Sequence, residues 1–175
     1  EVAIVENSSV ENAGISGGYF LSRALVPVSP DQAERYFLSP RFVRPADLPA
    51  SLQRTAVDWP EVVFLCDPTG LTADTALALE SYVKSGGNLV VFPGSASKLG
   101  VNDTPEALAR LLPGTLGEPV ETAAEETPAA WQADGLDHAI TRFWNDRSNG
   151  NLGAVAFTRH CDLTPKTDPA VRVVT

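Results

Sequence analysis

A three-layer α/β fold with a mostly parallel sheet is the architecture that this sequence predicts. Three observations predict it. Short, nearly continuous apolar runs recur along the chain: VAIV at 2–5, VVFLC at 62–66 and NLVVF at 88–92. Such runs suit strands buried on both faces. Segments with helical spacing alternate with them, which is the order of an α/β protein rather than of a bundle or a sandwich. Finally, the stretch from Glu61 to Phe92 reads strand, helix, Gly-Gly, strand, the pattern of a βαβ crossover.

The elements follow in order. Val2 to Val5 is a buried strand that runs into the polar cluster Glu6-Asn7-Ser8-Ser9, a loop. In GISGGYFLSRALVPV, Tyr19, Phe20, Ala24 and Leu25 have helical spacing, and Pro27 ends the helix. Phe42-Val43-Arg44 gives a second strand, and PADLP after it a proline-punctuated loop. After the strand in EVVFLCD, Thr72 is an N-cap and Asp74 sits in the first helical turn, where a negative charge suits the helix dipole. Ala76, Leu79, Tyr82 and Val83 form one apolar stripe, Lys84 lies in the last turn, and Gly86-Gly87 supplies a left-handed C-terminal cap. NLVVF then reads as the next buried strand. Asp103 or Thr104 caps a helix with Pro105 in its first turn. The acidic, Ala-rich TLGEPVETAAEETPAAWQADG reads as an irregular excursion with one short strand. DHAITRFWND reads as a short helix that turns Ile140 and Phe143 inward, and GAVAFTRH and AVRVVT as late strands. Trp59, Trp131 and Trp144 are scattered packing anchors, and no internal repeat is present.

The composition excludes several function classes. The 175 residues suit a single domain over 1–175, and 43% hydrophobic with 20% charged residues is ordinary for a globular protein. The net charge of −9 argues against nucleic-acid partners, whose phosphates call for clustered Lys and Arg, and against docking on anionic membranes. No run approaches the ~20 apolar residues of a membrane span, so this segment is not expected to insert directly. The two cysteines, Cys66 and Cys161, are too few for a disulfide scaffold. With His138 and His160 they form no metal-ligand spacing, so neither a metal nor another cofactor is expected. The chain contains no Met and opens directly on a strand. It reads as a piece of a longer protein.

Several phrases, in order, carry a family resemblance: VAIVENSS, GGYFLSRAL, FVRPADLP, EVVFLCDPTGLTADTALALESYVKSGGNLVVFPG, LLPGTLGEPV and DHAITRFW. Over its whole length the chain resembles the class I glutamine amidotransferase-like domains. More narrowly, it is similar to the noncatalytic versions fused into large bacterial membrane proteins of the Bat type, beside von Willebrand A modules. The resemblance implies a flavodoxin-like topology and further strands beyond this segment. It also implies a soluble domain of a membrane-anchored bacterial protein, periplasmic or cytoplasmic, with other domains of the parent or a membrane assembly as partners.

The resemblance also locates a catalytic centre. Class I amidotransferases carry a Cys on a sharp turn after the strand that corresponds to NLVVF, with a downstream His as base. The matching positions here are Pro93 and Gly94, and neither is a thiol. Three candidates compete with an empty site. Ser95 in GSAS does not match the G-x-S-x-G elbow, and a polar turn is its plainer reading. Cys66 stands at the tip of the preceding strand, where a core thiol is the alternative. His138, in DHAI, reads as a residue that caps or pins a loop, with a catalytic base as the alternative. In parallel sheets ligands bind at the carboxyl ends of strands, here the loops after Val5, Leu65 and Phe92. Glu6, Asn7, Asp67, Thr69, Gly94 and Ser95 therefore form the expected pocket for a small polar ligand. Turn and cap roles for Asp67 and Thr72 are the alternative. The expected function is a noncatalytic module for ligand sensing or protein interaction. A hydrolase or amidotransferase using Cys66 and a carbohydrate-associated binding module are the alternatives.

Overall fold

The computed structural model describes residues 1–7, 16–55, 57–94, 104–123, 126–131 and 136–171. The chain divides into two compact units, Glu1–Leu112 and Pro113–Thr175. The first is an α/β unit built on a four-stranded parallel sheet of order β2-β1-β3-β4. Its strands are β1 (Val2–Val5), β2 (Pro40–Val43), β3 (Val62–Cys66) and β4 (Asn88–Phe92). Register is uniform: Val2 lies between Pro40 and Val62, and Val62 in turn faces Asn88. β1 is the most apolar run because it is paired on both edges and fully buried, with Ala3 and Ile4 at 0% exposure. β4 departs from expectation. Among the described residues it pairs with β3 alone, and Leu89, Val90 and Val91 are only half-buried while Phe92 is exposed.

Local chemistry explains each helix. In α1 (Gly17–Leu25) the Ser16 side chain accepts from the Tyr19 N–H at 3.1 Å, an N-cap, and the helix stops ahead of Pro27. A short α2 (Pro30–Ala33) follows. The PADLP segment is not a loop as expected. It forms a 3₁₀ turn, Pro45–Asp47, and then α3 (Leu48–Ser51), burying Leu48 and Leu52. Proline breaks a helix interior but suits a first turn, and both prolines stand there.

α4 (Ala73–Lys84) is the crossover between β3 and β4, and its boundaries follow the predicted signals. Thr72 Oγ1 accepts from the Thr75 N–H at 3.2 Å. Gly87 N–H donates to the Tyr82 carbonyl and Gly86 N–H to the Val83 carbonyl, with Gly86 at φ +97°. This pair of bonds is a Schellman cap, and it requires a left-handed residue at Gly86. Gly87 is required for a different reason: a Cβ there would stand inside the Tyr82 ring. That ring is buried against Trp59, with centroids 5.2 Å apart. The Tyr82 hydroxyl lies 3.1 Å from the Pro60 carbonyl and accepts from the Asn88 N–H at 3.2 Å. One side chain thus ties the helix to the starts of β3 and β4.

α5 (Glu106–Leu111) begins later than expected, with Pro105 rather than Thr104 at its cap, while Asp103 lies outside the described residues. It packs on α4 through Ala107 and Leu108 and through an ion cluster. Glu80 accepts from Lys84 Nζ at 3.0 Å and Arg110 Nη2 at 3.0 Å, and Arg110 Nη1 also reaches Glu106 at 2.8 Å.

The second unit differs most from expectation. Its segment Gly114–Glu121, expected as part of an irregular excursion, is a strand, β5. β6 (Ala129–Ala130) pairs with β7 (Ala156–Phe157), and β5 pairs with β8 (Arg159–Pro165), all antiparallel. The β5–β8 ladder shifts register between Leu116 and Pro119, where Pro119 has no N–H to offer it. Backbone pairing with a distant partner makes this ribbon, and its largely exposed side chains carry no apolar alternation to announce it. DHAITRFWND forms turns and a 3₁₀ segment, Arg142–Asn145, rather than a helix with inward residues. Ile140 is 73% exposed and Phe143 57%. Of AVRVVT, Ala170 and Val171 form no strand, and the rest lies outside the described residues.

Candidate functional site

The chain leaves β1 toward β2 on one side, and β3 leads to β4 on the other, so the sheet order reverses between β1 and β3. Loops diverge there and leave a crevice at the strands' carboxyl ends. Val5 is in register with Leu65, and Cys66 with Phe92. The residues just beyond, Glu6, Asp67 and Pro93-Gly94, therefore emerge together.

Glu6 turns back onto the start of α1. Its Oε1 accepts from the Gly18 N–H at 3.0 Å. A Cβ at Gly18 would lie 2.7 Å from Glu6 Oε2 and 3.0 Å from Ile4 Cγ2, so the carboxylate can approach only because residue 18 is glycine. The N-terminus of a helix after the first strand is a common anion site, since its free N–H groups and dipole favour negative charge. Here the protein's own carboxylate fills it.

Asp67 ends β3. Its N–H donates to the Phe92 carbonyl at 3.0 Å, and its backbone then turns left-handed at φ +46°. It is the non-glycine residue with positive φ among those described. Asp tolerates this conformation better than most side chains, yet the feature is common at functional positions. Its carboxyl group occupies the space a Cβ would need at Gly94. Beside it, Asn7 Nδ2 donates to Thr69 Oγ1 at 3.3 Å, joining the loop after β1 to the loop after β3. At the strand tips, then, Glu6 bonds the start of α1, Asn7 bonds Thr69, and Asp67 packs on Gly94. Ser95 lies outside the described residues.

Cys66 forms the floor. It is 3% exposed, and burial, aided by the nearby Glu6 charge, pushes its thiol up to about 11. A thiol at that value is ionised in roughly one part in ten thousand at pH 7. An activated nucleophile has the opposite surroundings: partial exposure and positive neighbours. The surroundings of Cys66 are those of a core thiol. Pro93 and Gly94, where the resemblance places the elbow, are both exposed. His138 belongs to the second unit and closes a turn there: its Nδ1 accepts from the Ile140 N–H at 3.2 Å, and its carbonyl accepts from Thr141 and Arg142. His160 stands in β8 opposite Val120.

Above Cys66 lies a cavity of about 520 Å³ lined by Gly17, Phe20, Leu21, Ala24, Cys66, Asp67, Phe92, Pro93 and Gly94. The volume is that of a small-molecule site. The sequence reading missed the contribution of α1. The signal was there, since Gly17 and Gly18 open the first helix after the first strand, the place where a doubly wound sheet brings a helix start to its crevice. Phe20 is 61% exposed and Phe92 47%, so two aromatic rings stand open at the site. Phe92 is held from behind by Phe64, the rings stacked at 6.1 Å and 6°.

Among the described residues no group of three or more His, Cys, Asp or Glu is arranged to hold a metal, and no helix is long and apolar enough to cross a membrane. No protein-family model matches the chain, nor does any curated protein or solved structure.

Proposed function

We propose that this chain is an amidotransferase-like module without a working catalytic thiol, which serves a larger bacterial envelope protein by binding a small ligand or a partner. The strand order β2-β1-β3-β4 supports the flavodoxin-like topology that the resemblance implies, since it reproduces four consecutive positions of that order. The Schellman cap at Gly86 and the Tyr82–Gly87 contact give a physical basis to the phrase on which the resemblance chiefly rests.

The observation that carries the noncatalytic reading is the state of the strand tips. The elbow position is Pro93-Gly94, and the one thiol beside it is buried, near a carboxylate, and protonated at neutral pH. The cavity above it, with apolar walls and a fixed carboxylate, supports binding instead. The test is turnover of a panel of glutamine, simple amides and activated esters by the chain and by its Cys66→Ala variant. The reading predicts no turnover by either. Turnover by the parent that disappears in Cys66→Ala would establish the hydrolase or amidotransferase instead.

A further inference from the structure

The outer edge of β2 has the open backbone, the adjoining cavity and the charge that an added strand requires. We propose that it is a docking site for an extended, acidic peptide segment of a partner protein, which pairs with β2 and seats one apolar side chain in the cavity beside it. The site stands apart from the crevice at the strand tips, so either can exist without the other.

Three independent observations converge on it. The first is the backbone. Among the described residues β2 pairs with β1 alone, in parallel register, and the Val2 N–H donates to the Ser39 carbonyl at 3.1 Å. In that pattern alternate residues turn their backbone groups toward β1, here Ser39, Arg41 and Val43. The Pro40 carbonyl and both backbone groups of Phe42 therefore face outward, a short row of one donor and two acceptors. Pro40 has no N–H, which ends the row at the start of the strand and admits only a short partner.

The second is the cavity. Ile4 faces α1, since a Cβ at Gly18 would meet its Cγ2 at 3.0 Å. Phe42 is in register with Ile4 and shares that face. A cavity of about 370 Å³ opens there, walled by Val26, Val28, Leu38 and Phe42, with Arg23 and Glu34 also lining it. Phe42 is 56% exposed, and Phe37, just before β2, is 82% exposed. A residue paired beside Phe42 projects onto the same face. Backbone bonds then give affinity, and the cavity selects the side chain.

The third is the charge, and it selects the occupant. The chain as a whole carries −9, yet between Arg23 and Arg44 it has four Arg against Asp31 and Glu34. Arg44 is held by Asp47 at 2.7 Å. Arg41 gives its Nη2 to the Asp58 carbonyl, a neutral acceptor, and its buried Nε has no acceptor. Arg23 lies over the Tyr19 ring, 5.6 Å from the centroid. A strand bearing carboxylates meets this local excess favourably within the ~10 Å that salt leaves unscreened. A second copy of this chain does not, because a two-fold axis sets the same Arg residues against themselves.

The test is a two-dimensional NMR titration of the full chain, at low salt, with a capped heptapeptide in which four Glu alternate with Val, Phe and Val. Two comparison peptides carry Lys in place of Glu, or a methyl on every backbone nitrogen, which keeps the side chains and removes the N–H donors. The expected result is saturable movement of the Val28, Leu38 and Phe42 amide signals by the acidic peptide, at an affinity about tenfold or more above either comparison. Arg23→Glu, at an exposed position, should weaken the acidic peptide about threefold or more and leave the urea midpoint near the parent's. Equal or tighter binding of the Lys peptide, or undiminished binding by Arg23→Glu, would overturn the acidic partner. Equal binding of the methylated peptide would overturn strand addition. Movement of the Phe42 signal on concentrating the chain alone, with a dimer in sedimentation, would overturn the proposal in favour of a second copy. No movement up to the solubility of the acidic peptide would overturn the site, whatever the turnover assay reports.

Discussion

Replacing Gly87 with Ala should be far more costly than a loop glycine substitution ordinarily is. Gly87 does not have positive φ, so backbone conformation alone predicts a mild effect. The added methyl, however, falls inside the ring of Tyr82. That ring is 2% exposed, rests on Trp59, and is anchored at its far end by the Pro60 and Asn88 hydrogen bonds. It cannot yield without breaking those bonds. Overpacking costs about 1–3 kcal/mol, and each lost hydrogen bond about 1 kcal/mol, so a loss of about 3 kcal/mol is expected, lowering Tm by roughly 10 °C. Urea unfolding followed by tryptophan fluorescence measures it, with an unchanged m-value as the sign that the unfolded state is unaltered. The decisive control is the Tyr82→Ala background, where the ring is gone. There Gly87→Ala should cost less than about 0.5 kcal/mol, a strong non-additivity between contacting residues. A single-variant loss below about 1 kcal/mol, or the same loss in both backgrounds, would refute the account of the Gly-Gly join.

Two further outcomes follow from the first unit. The Arg110 guanidinium, with help from the Lys84 ammonium, holds the Glu80 carboxyl down to about 2. Its folded value is depressed, so between about 2 and the unfolded value of roughly 4.3 the unfolded chain binds more protons, and stability rises with pH across that window. Glu80→Gln should therefore be less stable than the parent near neutral pH, with the gap closing as pH falls through the window; a gap that does not change with pH would sink this assignment. Gly18→Ala should crowd Glu6 and Ile4 and break the Glu6 bond to the helix start, costing about 1–2 kcal/mol in urea unfolding, and an unchanged midpoint would show that the carboxylate does not close α1.

What could be read in advance, and what could not, divides along physical lines. Local signals were sufficient where the structure itself is local. Thr72 caps, Gly86 turns left-handed, and the stripe of Ala76, Leu79 and Tyr82 is buried, as spacing and residue type require. Apolar runs located β1 and β3 because both are paired on two edges. The β5–β8 ribbon was not legible, because its stability lies in backbone bonds between segments some forty residues apart and its side chains are mostly exposed. Pro45 and Pro49 misled because proline at a first turn and proline in a loop look alike. At the site, the strand-tip rule pointed to Glu6, Asn7, Asp67, Thr69 and Gly94, of which Asp67 and Gly94 line the cavity. It did not reveal that Glu6 would be spent on Gly18 or that Phe20 and Phe92 would wall a cavity. Those depend on side-chain direction, which only the fold sets.

The central claim is that the strand tips form a binding crevice and not a catalytic centre, and the ionisation of Cys66 tests it most directly. In the full chain carrying Cys161→Ser and labelled with carbon-13 at the cysteine Cβ, the NMR shift of that carbon followed against pH reports Cys66 alone. The account predicts a midpoint near 11, moved downward by Glu6→Gln but kept above an ordinary thiol by burial. A midpoint below about 8 would show an activated nucleophile beneath the cavity, and the noncatalytic reading would fall.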